Sequence, residues 1–177
     1  MSTTPTQAQA LIWPQLLYAM AQVAGRPGDK ECCGWIWATA PDADHIKLIA
    51  TEGAALLSAH IPATHTLGSG AYRIDPSGHT KKPTQGAASR PVLCSLERYG
   101  DALPFSSEKV KARLKGGLAK ASVDPARAAA FFKAASAICQ RVDLTTLGEA
   151  VFFQCPHLEF KGDVRGVIAN LSFPTNR

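Results

Sequence analysis

The sequence predicts an α+β fold, a single domain in which a small, mostly antiparallel sheet packs against two to three helices. Three observations lead there. Short β-type runs crowd the middle and the end of the 177-residue chain, a few segments repeat apolar residues at helical spacing, and turn-forming residues rather than helical crossovers separate the runs. With 46% apolar residues, a chain of this length buries a core without disulfide or metal staples, and one domain accounts for it.

Residues 1–10, MSTTPTQAQA, are polar and uncharged and read as a loose N-terminal tail. Trp13-Pro14 then opens a helix, because proline suits a first helical position. Leu16, Leu17, Met20 and Val23 share one face of it until Gly25 and Pro27 stop the run. From Cys32 the pattern changes to CCGWIWAT, HIKLIA and AALLSAHI, separated by Pro-Asp-Ala-Asp and Thr-Glu-Gly, which predicts an antiparallel meander. The alanines of the third run weaken it as a strand and leave a helix as the alternative there. AYRID, residues 71–75, is a further short strand.

Residues 76–90, PSGHTKKPTQGAASR, hold almost nothing to bury and predict a long, exposed basic loop, after which PVLCSL returns to the sheet. Ser106 or Ser107 caps a helix from Glu108 with Val110, Leu114 and Leu118 as its apolar stripe, bent or ended at Gly116-Gly117. The clearest helix follows. Asp124 caps it, Pro125 fills its first position, and Ala128, Phe131, Phe132, Ala135, Ile138, Cys139 and Val142 are spaced to bury one side. AVFFQC (150–155) and RGVIANLSF (165–173) end the chain as strands, and no internal repeat is visible.

Charge is the feature that points to function. Between Arg73 and Lys120 stand ten basic residues, Arg73, Lys81, Lys82, Arg90, Arg98, Lys109, Lys111, Arg113, Lys115 and Lys120, against Asp75, Glu97, Asp101 and Glu108. That stretch carries +6 in a chain of net charge +5, so everything outside it sums to −1. Such clustering suits a polyanion, and the phosphate backbone of nucleic acid is the commonest one. Tyr72, Tyr99 and Phe105 lie within or beside the stretch and offer rings on which unpaired bases stack.

Other chemistries find little support. The five histidines, His45, His60, His65, His79 and His157, lack metal-ligand spacing, so no metal or other cofactor is expected. LGSG (67–70) and KGGL (115–118) match neither the P-loop nor the dinucleotide fingerprint. Five cysteines, Cys32, Cys33, Cys94, Cys139 and Cys155, form no framework and no signal peptide precedes them, so a reducing cytoplasm is expected. No apolar run approaches the roughly 20 residues that span a bilayer. Trp35 and Trp37 alternate as exposed residues would, leaving room for protein contacts.

The segment GDKECCGWIW resembles the opening of JAB/MPN-type metalloprotease domains, and AYRIDP is similar to a later strand of that family; together they span residues about 29–76. The resemblance implies Glu31 as the counterpart of the family's catalytic acid. The family's zinc motif, HxHP followed by serine and aspartate, would fall near residues 97–110, where the chain reads ERYGDALPFSSEKV without either histidine. The resemblance therefore implies a shared fold or an inactive relative.

These readings combine into a non-catalytic nucleic-acid-binding protein, DNA or RNA left open, serving as a subunit or accessory factor of a prokaryotic-type nucleoprotein complex with other protein subunits. Two alternatives stand beside it: a protein-binding adaptor or inhibitor with a basic face, and a JAB-like hydrolase or its inactive relative.

Overall fold

A computed structural model describes residues 7–25, 34–39, 44–74, 90–100, 123–147, 150–156, 158 and 160–169. Among them are nine strands: β1 (Gln7–Ile12), β2 (Trp35–Thr39), β3 (His45–Thr51), β4 (Ala55–Pro62), β5 (Gly70–Arg73), β6 (Val92–Gly100), β7 (Asp143–Leu147), β8 (Ala150–Gln154) and β9 (Asp163–Ala169). Two helices accompany them, α1 (Pro14–Val23) and α2 (Pro125–Ala135). All nine strands belong to one antiparallel sheet in the order β1-β6-β5-β2-β3-β4-β9-β8-β7. The architecture is therefore more β-rich than the expected α+β domain with its small sheet.

Two strands account for much of that difference. Gln7–Ile12 sits partly inside the stretch read as a tail, yet it hides a period-two pattern in which Ala8, Ala10 and Ile12 are buried and Gln9 is exposed. Alanine and glutamine have weak strand preference, so the pairing of β1 with β6 over six positions supplies what propensity does not. β7, DLTTL, starts directly after Val142, where the long helix was expected to end, in a stretch for which no strand was expected, and it is held by five registered pairs with β8. α2 ends at Ala135 instead, and its axis gives way to a turn through Ala137 and Ile138. The helix expected from Glu108 and all of the expected loop 76–90 except Arg90 lie outside the described residues.

The sheet curls around α1. Beyond β4 the chain runs on to pair with the outer edge of β1: the Leu11 amide donates to the Thr64 carbonyl (3.0 Å) and the Thr66 amide to that of Gln9 (2.8 Å). A hydrogen-bonded path therefore leads from β1 through β6, β5, β2, β3 and β4 and back to β1. What it encloses is a helix without a single charged residue, whose Leu16, Leu17, Tyr18, Ala19, Met20 and Val23 are all buried. A helix apolar on every side is stable only when surrounded.

The order of elements also contains a repeat that the residues conceal. α1-β2-β3-β4 and α2-β7-β8-β9 are each a helix with proline at its start followed by a three-stranded meander, and the two meanders meet back to back where β4 pairs with β9. Both helices contribute to a single core with the inner face of the sheet. α2 begins at Asp124, whose carboxylate accepts from the amides of Ala126 (2.8 Å) and Arg127 (3.4 Å).

Phe131 is the contact that seats α2. Its ring lies against Phe153 of β8, centroids 4.1 Å apart, and occupies the space above Gly166 of β9, where any Cβ would run into it. Phe131→Ala should cost about 3–5 kcal/mol. Phe132, 43% exposed, should lose roughly 1 kcal/mol or less on the same change. Urea unfolding of the two variants checks the contrast.

Cys139 and Cys155 are free thiols buried in this core. A hydrogen bond with Cys139, then burial, pushes the Cys155 thiol well above its ordinary value. A folded-state value above the unfolded one keeps the stabilisation complete below about pH 8.5 and loses it as pH rises beyond, at about 1.4 kcal/mol per pH unit for one thiol. Stability measured in urea between pH 8 and 10 should therefore fall more steeply for the wild-type protein than for Cys155→Ala.

Candidate nucleic-acid interface

Only three of the ten basic residues, Arg73, Arg90 and Arg98, are among the described ones. Lys81, Lys82, Lys109, Lys111, Arg113, Lys115 and Lys120 lie outside the described residues. Arg73 and Arg98 come close through the pairing of β5 with β6, in which Tyr72 stands opposite Arg98. Arg90 does not join them. It precedes β6, so at the roughly 3.3 Å rise of a strand it lies on the order of 26 Å along the chain from Arg98.

The two neighbouring arginines differ in what they do for the fold. Arg98 is a brace: its Nη2 donates to the Ser69 carbonyl at 3.0 Å, beside the tight entry into β5. That entry is at Gly70 (φ +155°), where a Cβ would sit 2.6 Å from the Gly100 carbonyl oxygen and 3.2 Å from the Arg98 guanidinium. Arg73, on the same strand face as Ala71, is exposed and stands beside Trp35 in register. A shift in register between Ala71 and Tyr72 accompanies the outward turn of Tyr99, which is 70% exposed and stacks on Trp35 with centroids 4.1 Å apart. Of the two tryptophans expected on the surface, only Trp35 is partly open; Trp37 is buried with Ile49 and Ala71 in a second, smaller cluster on the outer side of the sheet.

Register arranges the rest of that outer side in transverse rows. One row runs Ala71, Trp37, Ile49, Ser58, Arg165, Gln154, Asp143 across β5, β2, β3, β4, β9, β8 and β7. The next runs Thr39, Lys47, His60, Asp163. Together Thr39, Lys47, Ser58, His60, Asp163 and Arg165 line a shallow polar groove. Arg165 is engaged there by Asp163 at 2.7 Å, which leaves Lys47 as the charge that the groove adds. Reasoning along the sequence missed this group, because its members come from four strands spread between residues 39 and 165. The alternation in HIKLIA marks Lys47 as outward-facing, but nothing in one dimension ties it to Arg165.

Among the described residues the two helices carry little charge. α1 has none, Arg127 of α2 is 3.4 Å from Glu52, and the Lys133 ammonium lies 6.0 Å above the Tyr18 ring. Glu52 is itself fixed in the β3–β4 turn, accepting from the amides of Ala54 and Ala55. Among the described residues no three His, Cys, Asp or Glu side chains converge on a possible metal, and no helix is long and apolar enough to cross a membrane.

Compared with solved structures, the chain is similar to bacterial β clamps. It matches the H. pylori β clamp in complex with diflunisal at a TM-score of 0.54, covering 98% of this chain and 68% of that one at 12% identity. The fold is that of a sliding clamp. The C. crescentus β sliding clamp gives 0.53 at 12% identity, with 96% of this chain and 67% of the clamp covered. The DNA polymerase III β subunit of Thermotoga maritima gives 0.53 at 8% identity over 95% of this chain and 65% of its own. No protein-family model and no curated protein matches the sequence.

This corrects the JAB/MPN resemblance. WIWAT and AYR are neighbouring strands, β2 and β5, of the clamp-type sheet, and their alternation of buried and outward residues is common to half-buried strands in general. Glu31 lies outside the described residues.

Brace and exposed cation should separate by substitution. Arg98→Gln should cost about 0.5–1.5 kcal/mol for its lost hydrogen bond, whereas Arg73→Gln should change stability by no more than about 0.5 kcal/mol. Chemical denaturation of both variants reads the difference directly.

Proposed function

We propose that this chain is a non-catalytic, DNA-associated protein of a replication-type assembly, holding the phosphate backbone through the basic residues between Arg73 and Lys120 and acting with other protein subunits in the cytoplasm. The observation that carries the reading is the likeness of nearly the whole chain to β sliding clamps, one of them a subunit of DNA polymerase III. DNA is preferred to RNA on the same ground.

Charge placement supports the assignment of the phosphate contacts. Among the described residues α1 is neutral and Arg127 of α2 is paired with Glu52, so these helices offer little to a polyanion, and the +6 stretch is the concentrated source of positive charge. Subunit contact has its own support. Among the described residues β7 has a strand partner on one side only, and Leu144 on it is 54% exposed. Such an edge presents unpaired amides and carbonyls to another chain. On this reading the 177 residues act as one domain.

The stacked Trp35–Tyr99 pair favours a second reading, an adaptor whose aromatic and basic outer face meets a protein. Competition by DNA for a co-purified partner distinguishes the two.

Binding of short single- and double-stranded DNA and RNA, followed by fluorescence anisotropy across a salt series, tests the proposal. If Lys109, Arg113 and Lys120 each meet a phosphate, changing all three to glutamine should weaken binding alike for many sequences. The slope of log affinity against log salt should flatten by about 0.7–0.9 units per lost contact. Absence of salt-sensitive binding by the wild-type protein with its partners present would overturn the DNA reading in favour of the adaptor. Unchanged binding by a folded triple variant would move the contact to Lys81, Lys82 and Arg90.

A further inference from the structure

Tyr99 is the most open large apolar side chain among the described residues, at 70% exposure, yet its ring does not stand free. One face lies on Trp35, with centroids 4.1 Å apart and planes 20° from parallel. Trp35 is itself anchored, because β2 lies inside the sheet and the indole packs against the outer cluster of Trp37, Ile49 and Ala71. A ring covered on one face and this exposed turns its other face to solvent. The two other aromatic residues of the basic stretch offer no such surface. Tyr72 is buried, its hydroxyl donating to the Gly68 carbonyl at 2.9 Å, and Phe105 lies outside the described residues.

Arg73 adds a charge beside the stack. It is exposed and pairs with Trp35 in the register of β5 with β2. Opposed residues on neighbouring strands stand about 5 Å apart, so the long Arg73 side chain reaches the surroundings of the two rings. A flat aromatic face with a guanidinium next to it matches one nucleotide, the base stacking on the ring and the phosphate meeting the cation. A protein anchor would sit in an apolar surround instead. Here the exposed residues of β6 nearest to Tyr99 are Ser95, Glu97 and Arg98, all polar.

We propose that the open face of Tyr99, backed by Trp35 and flanked by Arg73, is a stacking site for an unpaired base of single-stranded DNA. The proposal rests on the DNA reading above and adds to it a preference for unpaired strands. Phosphate contacts alone do not discriminate in this way, whereas a base within a duplex has no free face to give to Tyr99.

The test uses the full chain with its partners and three probes followed by fluorescence anisotropy: a short thymidine strand, an abasic strand of the same length and charge, and a duplex. Wild-type protein should bind the thymidine strand roughly 5- to 100-fold more tightly than the abasic one. Tyr99→Ala should lose that preference and keep its affinity for the duplex, while Tyr99→Phe, which retains the ring, should restore it. The salt slope should stay unchanged in Tyr99→Ala and flatten by about 0.7 units in Arg73→Gln. The comparison of intact with abasic strand is made on the wild-type protein, so it stands whether or not a variant folds. Equal, salt-sensitive binding of the two strands would overturn the stacking site and leave the DNA reading in place. No salt-sensitive binding to any of the three would overturn both. Loss of a co-purified protein from Tyr99→Ala, with its affinity for the thymidine strand intact, would assign the aromatic pair to the adaptor and overturn the proposal.

Discussion

The antiparallel seam between β4 and β9 is the constraint on which the rest of the structure depends. Six registered pairs, from Ala55 with Ile168 to His60 with Asp163, join two helix-and-meander units that are otherwise distant in sequence. The seam sets which face of each meander is inner, because one residue of slippage would turn Val164, Gly166 and Ile168 outward. Gly166 then matters for its missing side chain. It opens the space that Phe131 fills, and through Phe131 the position of α2 against α1 follows. The Arg127–Glu52 pair ties the first turn of α2 to the turn ahead of β4, so the helix is held to the seam at its start as well as by Phe131.

Legibility in the sequence follows the physical origin of each element. α1 and the first turns of α2 are written in local signals, a proline at the first position and an apolar spacing of three and four, and the helices start where those signals stand. β2, β3 and β4 were legible too, since alternation and turn residues are also local. β1 and β7 were not. β1 is mostly alanine and glutamine, with little strand preference of its own, β7 is a short run with a polar start and no clean alternation, and the hydrogen bonds that hold them come from β6, β8 and the segment 64–66. The end of α2 was misplaced for a related reason: Ile138 and Cys139 are buried as the helical spacing suggests, but from a turn beyond Ala135. The internal repeat is one of topology, and residue identity does not reveal it.

The candidate site was legible only as charge. Counting lysines and arginines found the stretch 73–120, but it did not distinguish an arginine that braces a strand entry from one beside an exposed aromatic stack. Arg98 and Arg73 make that distinction on adjacent strands, and it depends on a register shift and on a glycine conformation that no local pattern announces. The outer groove was illegible for a stronger reason. Lys47, His60 and Asp163 are neighbours because β3, β4 and β9 lie side by side, a fact created by the seam rather than by spacing.

Separation of charge from core has a consequence for how such a protein can change. α1 is neutral and enclosed by a curled sheet, so its interior sets stability with little coupling to the surface field. The excess positive charge lies instead in a stretch whose described members stand on β5, just before β6 and near its end, all at exposed positions. Exposed charges contribute little to folding, on the order of 1 kcal/mol or less, while each cation that meets a phosphate alters affinity and its salt dependence strongly. Affinity for a polyanion can therefore vary by surface substitution while the seam, Gly166 and Phe131 keep the fold. Arg98 is the exception among the described basic residues of that stretch, because its guanidinium also holds the entry to β5, and at that position a change of charge is also a change of structure.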